Sequence, residues 1–361
     1  VWDFLGPCAT APDKLKSNVT TAADPTVLQI ATAHEVTRWY LATHYRTVDE
    51  PGMPAMFCDP RRVGAFAIER AAVKRGDAAA LFSLLVTTAM FQRLQDRIVM
   101  GILRGIDPDS AHEIASMTRL LSLADECACS HAQSTEALRL HCDLTKDLER
   151  GTGVCKANPT VSCHLKRHTV VLRRYGHFGK MPTSIALALR EQGVASLPAL
   201  RDSIVRSNQD PHDRAAALEA ALSRAWRVSQ KIASMFLSAV CNPDIALDGV
   251  APWQDGIDWS HYVVIDTNVD LFLAAVGYRG TMTYDARRTY IQALARHIDL
   301  SEFGYGLQPY NPRIVQQALY LFMSVANRKP LARDCAHRGV LACAACPSST
   351  RQICPLRQCA P

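Results

Sequence analysis

The stretch from residue 78 to 105 reads AAALFSLLVTTAMFQRLQDRIVMGILRG. Apolar residues recur three and four apart along it, the period of a helix with a buried face. The spacing predicts one long helix from Ala78 to about Gly105. The same period returns before it at Val27–Tyr45 and Val63–Val73. After it, the period returns at Asp109–Leu123, Ser184–Glu191, Leu197–Val205, Asp213–Ala225, Ser229–Val240, Val269–Val276, Ala286–Ile298 and Pro312–Ala326. Asp109, Ser110, Asp213 and the pair Asn311-Pro312 read as helix starts, because short polar side chains cap orphaned amides and proline suits a first turn. Only Thr169–Leu172 and Val263–Ile265 have the character of short strands. The fold class is therefore read as all-α.

The chain has 361 residues, 48% of them hydrophobic and 20% charged, enough to bury a substantial core and to form roughly two domains. No apolar run approaches the ~18 residues of a membrane span. Residues Val1 to Phe4 carry neither a basic leader nor a long apolar core, so the expectation is a cytoplasmic, monomeric protein. A net charge of +6 permits contact with nucleic acid without demanding it. The basic character rises between about Cys142 and Pro182, where Lys166, Arg167, Arg173 and Arg174 are interleaved with Tyr175 and Phe178. Such a segment suits phosphate contact and base stacking, or is simply a solvated insertion.

Thirteen cysteines, an odd and unevenly spread set, argue against a disulfide framework. Five fall within the last 27 residues. Cys335, Cys343, Cys346 and Cys354 form C-x7-C-x2-C-x7-C, with Cys359 a rival for the fourth place. Two thiolates two residues apart grip one centre from a single turn, and two from flanking loops complete four-sulfur coordination. Both zinc and a [4Fe–4S] cluster accept that set. Cys155, Cys163, His164 and His168 match no metal spacing as clearly, and Cys127 and Cys129 read as packing residues.

Two further positions carry chemistry. Asp266 follows the apolar run Val263-Val264-Ile265 and precedes a helical period. A carboxylate there suits cleavage of a glycosidic bond, whose transition state is positive at the sugar, and it equally suits a plain N-cap. Lys231 opens the apolar helix that begins near Ser229. Burial or the positive field of a helix N-terminus makes a lysine nucleophilic, while a solvated first turn does not.

Taken in order, these stretches resemble the helix-hairpin-helix DNA glycosylases, in particular the endonuclease III and adenine-glycosylase branches. Met90-Phe91-Gln92-Arg93-Leu94-Gln95-Asp96 is similar to a family segment whose polar side chains probe the duplex, which implies that role for Gln92, Arg93 and Gln95. Val228-Ser229-Gln230-Lys231 is similar to the end of the family hairpin, whose lysine is the Schiff-base nucleophile of bifunctional members. The turn from Ala225 to Gln230 lacks the family's glycines. Asp266-Thr267-Asn268-Val269 is similar to the segment bearing the catalytic aspartate, which implies that Asn268 lies at the base. Position 88, a threonine, holds no counterpart of the adenine branch's glutamate, which argues against that branch's chemistry. The terminal cysteines resemble the family's [4Fe–4S] loop, which implies a structural cluster with zinc as the alternative.

The resemblance implies a two-lobed fold: an N-terminal arm and helices (1–80) packed on a cluster lobe (245–361), and a helical-barrel lobe (81–244). The barrel lobe carries the insertion at 142–182 and the degenerate hairpin at 222–231. It also implies a nucleoid-associated enzyme that flips a base from double-stranded DNA and hydrolyses its N-glycosidic bond, with lyase activity if Lys231 attacks the sugar. The insertions at 142–182 and 241–260 suit a bulky modified base, including the hypermodified bases of phage genomes, and so antiviral defence. The alternative is a non-catalytic DNA-binding or redox-sensing protein on the same fold.

Overall fold

The computed structural model describes residues 24–47, 52–92, 95–126, 132–140 and 180–357. Among them the chain is helical and contains no strand. In chain order the α-helices are α1 (Val27–Thr43), α2 (Pro60–Val63), α3 (Arg70–Arg75), α4 (Ala78–Met90), α5 (Asp96–Arg104), α6 (Pro108–Ala115), α7 (Met117–Asp125), α8 (Thr135–Leu140) and α9 (Lys180–Glu191). They continue as α10 (Leu197–Ser207), α11 (Pro211–Leu222), α12 (Gln230–Cys241), α13 (Thr267–Ala275), α14 (Tyr284–Ala295), α15 (Pro312–Met323), α16 (Val325–Arg328), α17 (Gly339–Ala344) and α18 (Ser348–Ile353). No described helix is long and apolar enough to cross a membrane.

Proline decides two of the starts. Asp107 and Asp210, not Asp109 and Asp213, are the N-caps of α6 and α11, each followed directly by a proline. Proline lacks an N–H and favours an extended residue before it, so the cap falls one position ahead of the ring. Asn311 caps α15 as expected, its side chain accepting from the amides of Arg313 and Ile314.

Three expected helices are broken. The long helix from Ala78 to Gly105 is two, because α4 ends at Met90 and Phe91 leaves helical geometry at φ −81°, ψ 64°. The Phe91 ring packs 5.0 Å from that of Phe57, and the Gln92 amide turns back onto the Ala89 carbonyl. The helix expected over Asp109–Leu123 breaks at Ser116, which caps α7. Val63–Val73 is broken at Gly64, where φ is +60° and an added Cβ would stand 2.8 Å from the Cα of Arg104. Helical period records which residues are apolar and is blind to such an approach of two backbones. Gly64→Ala is expected to cost about 2 kcal/mol, read as a lower midpoint of urea unfolding; an unchanged midpoint rules the close approach out.

The buried side chains form two clusters. The first centres on α4, whose Leu81, Leu84, Leu85, Val86 and Ala89 meet α3, α6, α10 and α12. The second centres on α15, whose Ile314, Val315, Ala318 and Leu319 meet α1, α13 and α14. Their membership differs from the expected lobes. Helix α1 joins the second cluster, but Met56, Phe57, Val63, Phe66 and Val73 belong to the first, as do Trp253, Ile257 and Tyr262. An apolar face is legible in a sequence; the neighbour that covers it is not. The chain passes from one cluster to the other between Tyr262 and Val263.

The run Val263–Ile265 is buried and is neither helix nor strand. The Tyr284 hydroxyl takes the place of a ladder neighbour, donating to the Val263 carbonyl at 2.9 Å and accepting from the Ile265 amide at 3.3 Å. A single side chain thus satisfies buried backbone groups that would otherwise be orphaned.

Candidate active site and cysteine cluster

Helix α12 begins after a tight turn in which Arg227 adopts the left-handed conformation at φ 67°. The turn therefore keeps a shape that glycine adopts freely, with a side chain present. The Arg227 guanidinium lies 5.0 Å from the centre of the Trp226 ring, and Lys180 lies over the same ring. Ile232, Ala233, Phe236, Leu237 and Val240 bury the inner face of α12, which leaves Lys231 half-buried on its first turn.

Asp266 is the N-cap of α13: its Oδ1 accepts from the amides of Asn268 and Val269, both at 3.0 Å. Its other oxygen, Oδ2, lies 3.8 Å from Lys231 Nζ. Capping and pairing therefore use opposite sides of one carboxylate, and the cap fixes the orientation of the pair. The side chain of Asp266 is 12% exposed and that of Lys231 is 35% exposed, so solvent reaches the lysine end. The two residues stand 35 positions apart in sequence and come together from the first turns of two helices, whose dipoles both favour negative charge here.

Buried polar groups hold this arrangement from behind. Glu219 on α11 accepts from Ser234 Oγ on α12, at 2.5 Å, and from Arg288 Nη2 on α14, at 2.9 Å. Burial works to raise the Glu219 carboxyl, but hydrogen bonds with His261 and Ser234 and the charge of Arg288 hold it below the usual range. Ser234 lies one turn after Lys231, and Arg288 lies one turn after Tyr284, which anchors Val263 and Ile265. The network thereby joins the elements that carry Lys231 and Asp266. Arg313 on α15 is buried beside them; burial pushes its guanidinium down to about 10, with Asp266 among the groups that resist this. It is bound by Ser238 Oγ at 3.3 Å and Gln317 Oε1 at 2.6 Å.

Of the other expected site residues, Gln92 donates to the Arg227 carbonyl at 3.1 Å, so it braces the turn before Lys231. Asn268 lies half-buried one residue past the start of α13. Gln95 is exposed and accepts from Arg97 Nε at 2.8 Å. Arg93, Lys166, Arg167, Arg173, Arg174 and Cys359 lie outside the described residues, as do Cys127, Cys129, Cys155, Cys163, His164 and His168. One acid was given no role from the sequence: Asp96, the first residue of α5, is half-buried, and burial raises its carboxyl while Lys231 opposes this. Within an unbroken helix it looks like any surface acid, and the break after α4 puts it at the head of α5.

Cys335, Cys343, Cys346 and Cys354 are all free thiols. Burial pushes the Cys346 thiol up, and the charges of Cys354, Cys335 and Cys343 push it the same way. Among the described residues no group of three or more His, Cys, Asp or Glu side chains is placed to hold a metal ion. One cation does face two of the sulfurs. Arg328 is fully buried, and its Nη2 and Nη1 point at Cys335 Sγ (3.4 Å) and Cys354 Sγ (3.7 Å). The same guanidinium binds both oxygens of Asp334, at 2.8 and 3.1 Å, and the Phe322 carbonyl at 2.7 Å. The buried indole Nε1 of Trp39 has no conventional hydrogen-bond partner, and the side chain acts on the Cys335 sulfur. A buried cation beside sulfur favours negative charge, but burial still holds the Cys335 thiol above its ordinary value.

No family model matches the chain, and no curated protein or solved structure matches it either.

Proposed function

We propose that the protein is a DNA glycosylase of the helix-hairpin-helix kind, which flips a base out of double-stranded DNA and hydrolyses the bond between base and sugar. The observation that carries this reading is the Lys231–Asp266 pair, held at 3.8 Å at the first turns of two helices where the two buried clusters meet. The four thiols beyond α15 add support, since they follow the pair in the order the resemblance implies.

In this reading Asp266 faces the sugar, and its free oxygen offsets the positive charge that builds at C1′ as the bond to the base breaks. The cap to Asn268 and Val269 keeps that oxygen aimed, so the carboxylate needs little reorganisation during the reaction. Lys231 supplies positive charge at the solvent-facing end, where the DNA backbone passes, or attacks C1′ itself. Cys335, Cys343, Cys346 and Cys354 would hold the [4Fe–4S] cluster or zinc, which would supply structural cross-linking of the last 27 residues. A bulky modified base, of the kind found in some phage genomes, remains the substrate class favoured by the size of the insertions.

The test is base release. Incubating the protein with duplexes bearing damaged or mismatched bases, and with DNA bearing hypermodified bases, is expected to free one base class detectable by mass spectrometry. Silence across the panel with DNA binding intact would move the reading to a non-catalytic DNA-binding or redox-sensing protein.

A further inference from the structure

The residues of helix α12 divide by character. Ile232, Ala233, Phe236, Leu237 and Val240 pack into the first cluster. Lys231, Ser234, Ser238 and the C-cap Asn242 follow one another at spacings of three, four and four, which places them in one stripe on the other face. Ser234, Ser238 and Asn242 are fully buried. Each is hydrogen-bonded toward the helices of the second cluster. Ser234 Oγ donates to Glu219 at 2.5 Å, and the same carboxylate accepts from Arg288 of α14 at 2.9 Å. Ser238 Oγ accepts from Arg313 Nε of α15 at 3.3 Å. Asn242 and Asn311, the N-cap of α15, exchange two amide hydrogen bonds, both at 3.0 Å. Asn311 Nδ2 also donates to Asp244 Oδ2 at 2.7 Å. At the head of the stripe stands Lys231, 3.8 Å from the cap of α13.

We propose that Ser234, Ser238 and Asn242 are positioning residues that hold Lys231 against Asp266, with Asn242 acting from about 16 Å along the helix. The effect on rate rests on the glycosylase reading; the effect on the pair does not. The cap orients Asp266, while the roll and height of α12 set where Lys231 stands. Apolar contact is non-directional, so the first cluster alone fixes neither sharply. Hydrogen bonds weaken steeply away from their axis, and an unpaired buried polar group is costly. A slide or roll of α12 would break the bonds of Ser234, Ser238 and Asn242 together. The stripe is therefore a polar seam that registers the first cluster on the second, and the Lys231–Asp266 pair is its open end. A misplacement of about 1 Å at a reacting group is enough to cost a large part of the rate.

The experiment compares wild type with Ser234→Ala, Ser238→Ala and Asn242→Ala. Alanine suits a helix interior, so the two serine variants are expected to fold. Val240→Ala, on the apolar face of the same helix, is the control for ordinary loss of stability. The first readout needs no turnover. Lysines are reductively methylated with ¹³C-formaldehyde, and the Lys231 signal is assigned by its loss in Lys231→Gln. Asp266→Asn gives its position without the charged partner. The three seam variants are expected to move the signal from the wild-type position towards that of Asp266→Asn, and Val240→Ala to leave it in place. The second readout is base release, where each seam variant is expected to lower kcat about tenfold with KM within about twofold. Wild-type signal and kcat in the seam variants, or equal changes in Val240→Ala, overturn the assignment while leaving the glycosylase reading in place. If wild type releases no base, the glycosylase reading falls, and the Lys231 signal alone upholds or overturns the seam.

Discussion

Asp266→Asn is expected to lower base release by about 10³-fold while leaving DNA affinity and the melting temperature nearly unchanged. The separation of the two effects follows from the geometry. Asparagine is as good an N-cap as aspartate, and its carbonyl can still accept from the amides of Asn268 and Val269. What it loses is the negative charge on the oxygen that faces Lys231 Nζ at 3.8 Å. If Asp266 were only a cap, the variant would release bases at the wild-type rate. Lys231→Gln then separates two mechanisms. A nucleophilic lysine forms a Schiff base that borohydride traps on DNA, and glutamine abolishes the adduct. A lysine that only places charge leaves no adduct in wild type.

The second large effect is on stability. Arg328→Leu is expected to destabilise the fold by about 3–5 kcal/mol, because it strands the buried Asp334 carboxylate without its cation. Denaturant unfolding of the purified variant, with its iron and zinc content, reads this out. Retention of wild-type stability would show that the ion pair carries no weight. The double variant Arg328→Leu, Asp334→Asn is expected to recover part of the loss, since no unpaired charge remains. The pH sign is set by the carboxylate. Burial raises Asp334, but hydrogen bonds with His44 and Arg328 outweigh it and hold the group well below the usual carboxylate range. Its contribution is therefore present at neutral pH, above the unfolded carboxylate's titration, and disappears as pH falls through the lowered value.

The candidate site was partly legible because its chemistry sits in local patterns. An aspartate after Val263-Val264-Ile265 and before a helical period is an N-cap by sequence alone, and it is one in the structure. Lys231 at the head of an apolar helix was legible for the same reason, since Ile232, Ala233 and Phe236 define the inner face. That the two side chains meet was not legible, because 35 residues and a change of cluster separate them. Glu219, Arg288 and Arg313 were missed altogether. A buried charge looks like a surface charge until the elements that surround it are in place.

By itself, the sequence determined the helical class, because period and capping are local properties of consecutive residues. It determined the faces that must be buried and the grouping of four cysteines within the last 27 residues. Tertiary structure decided the rest. Gly64 against the Arg104 backbone broke one expected helix, and Phe91 packing on Phe57 accompanied the break in another. It sent residues 56–73 to one cluster and α1 to the other, and it drove Arg328 under two cysteine sulfurs. These outcomes depend on contacts between residues far apart in the chain, and such contacts are chosen by how surfaces fit together in space.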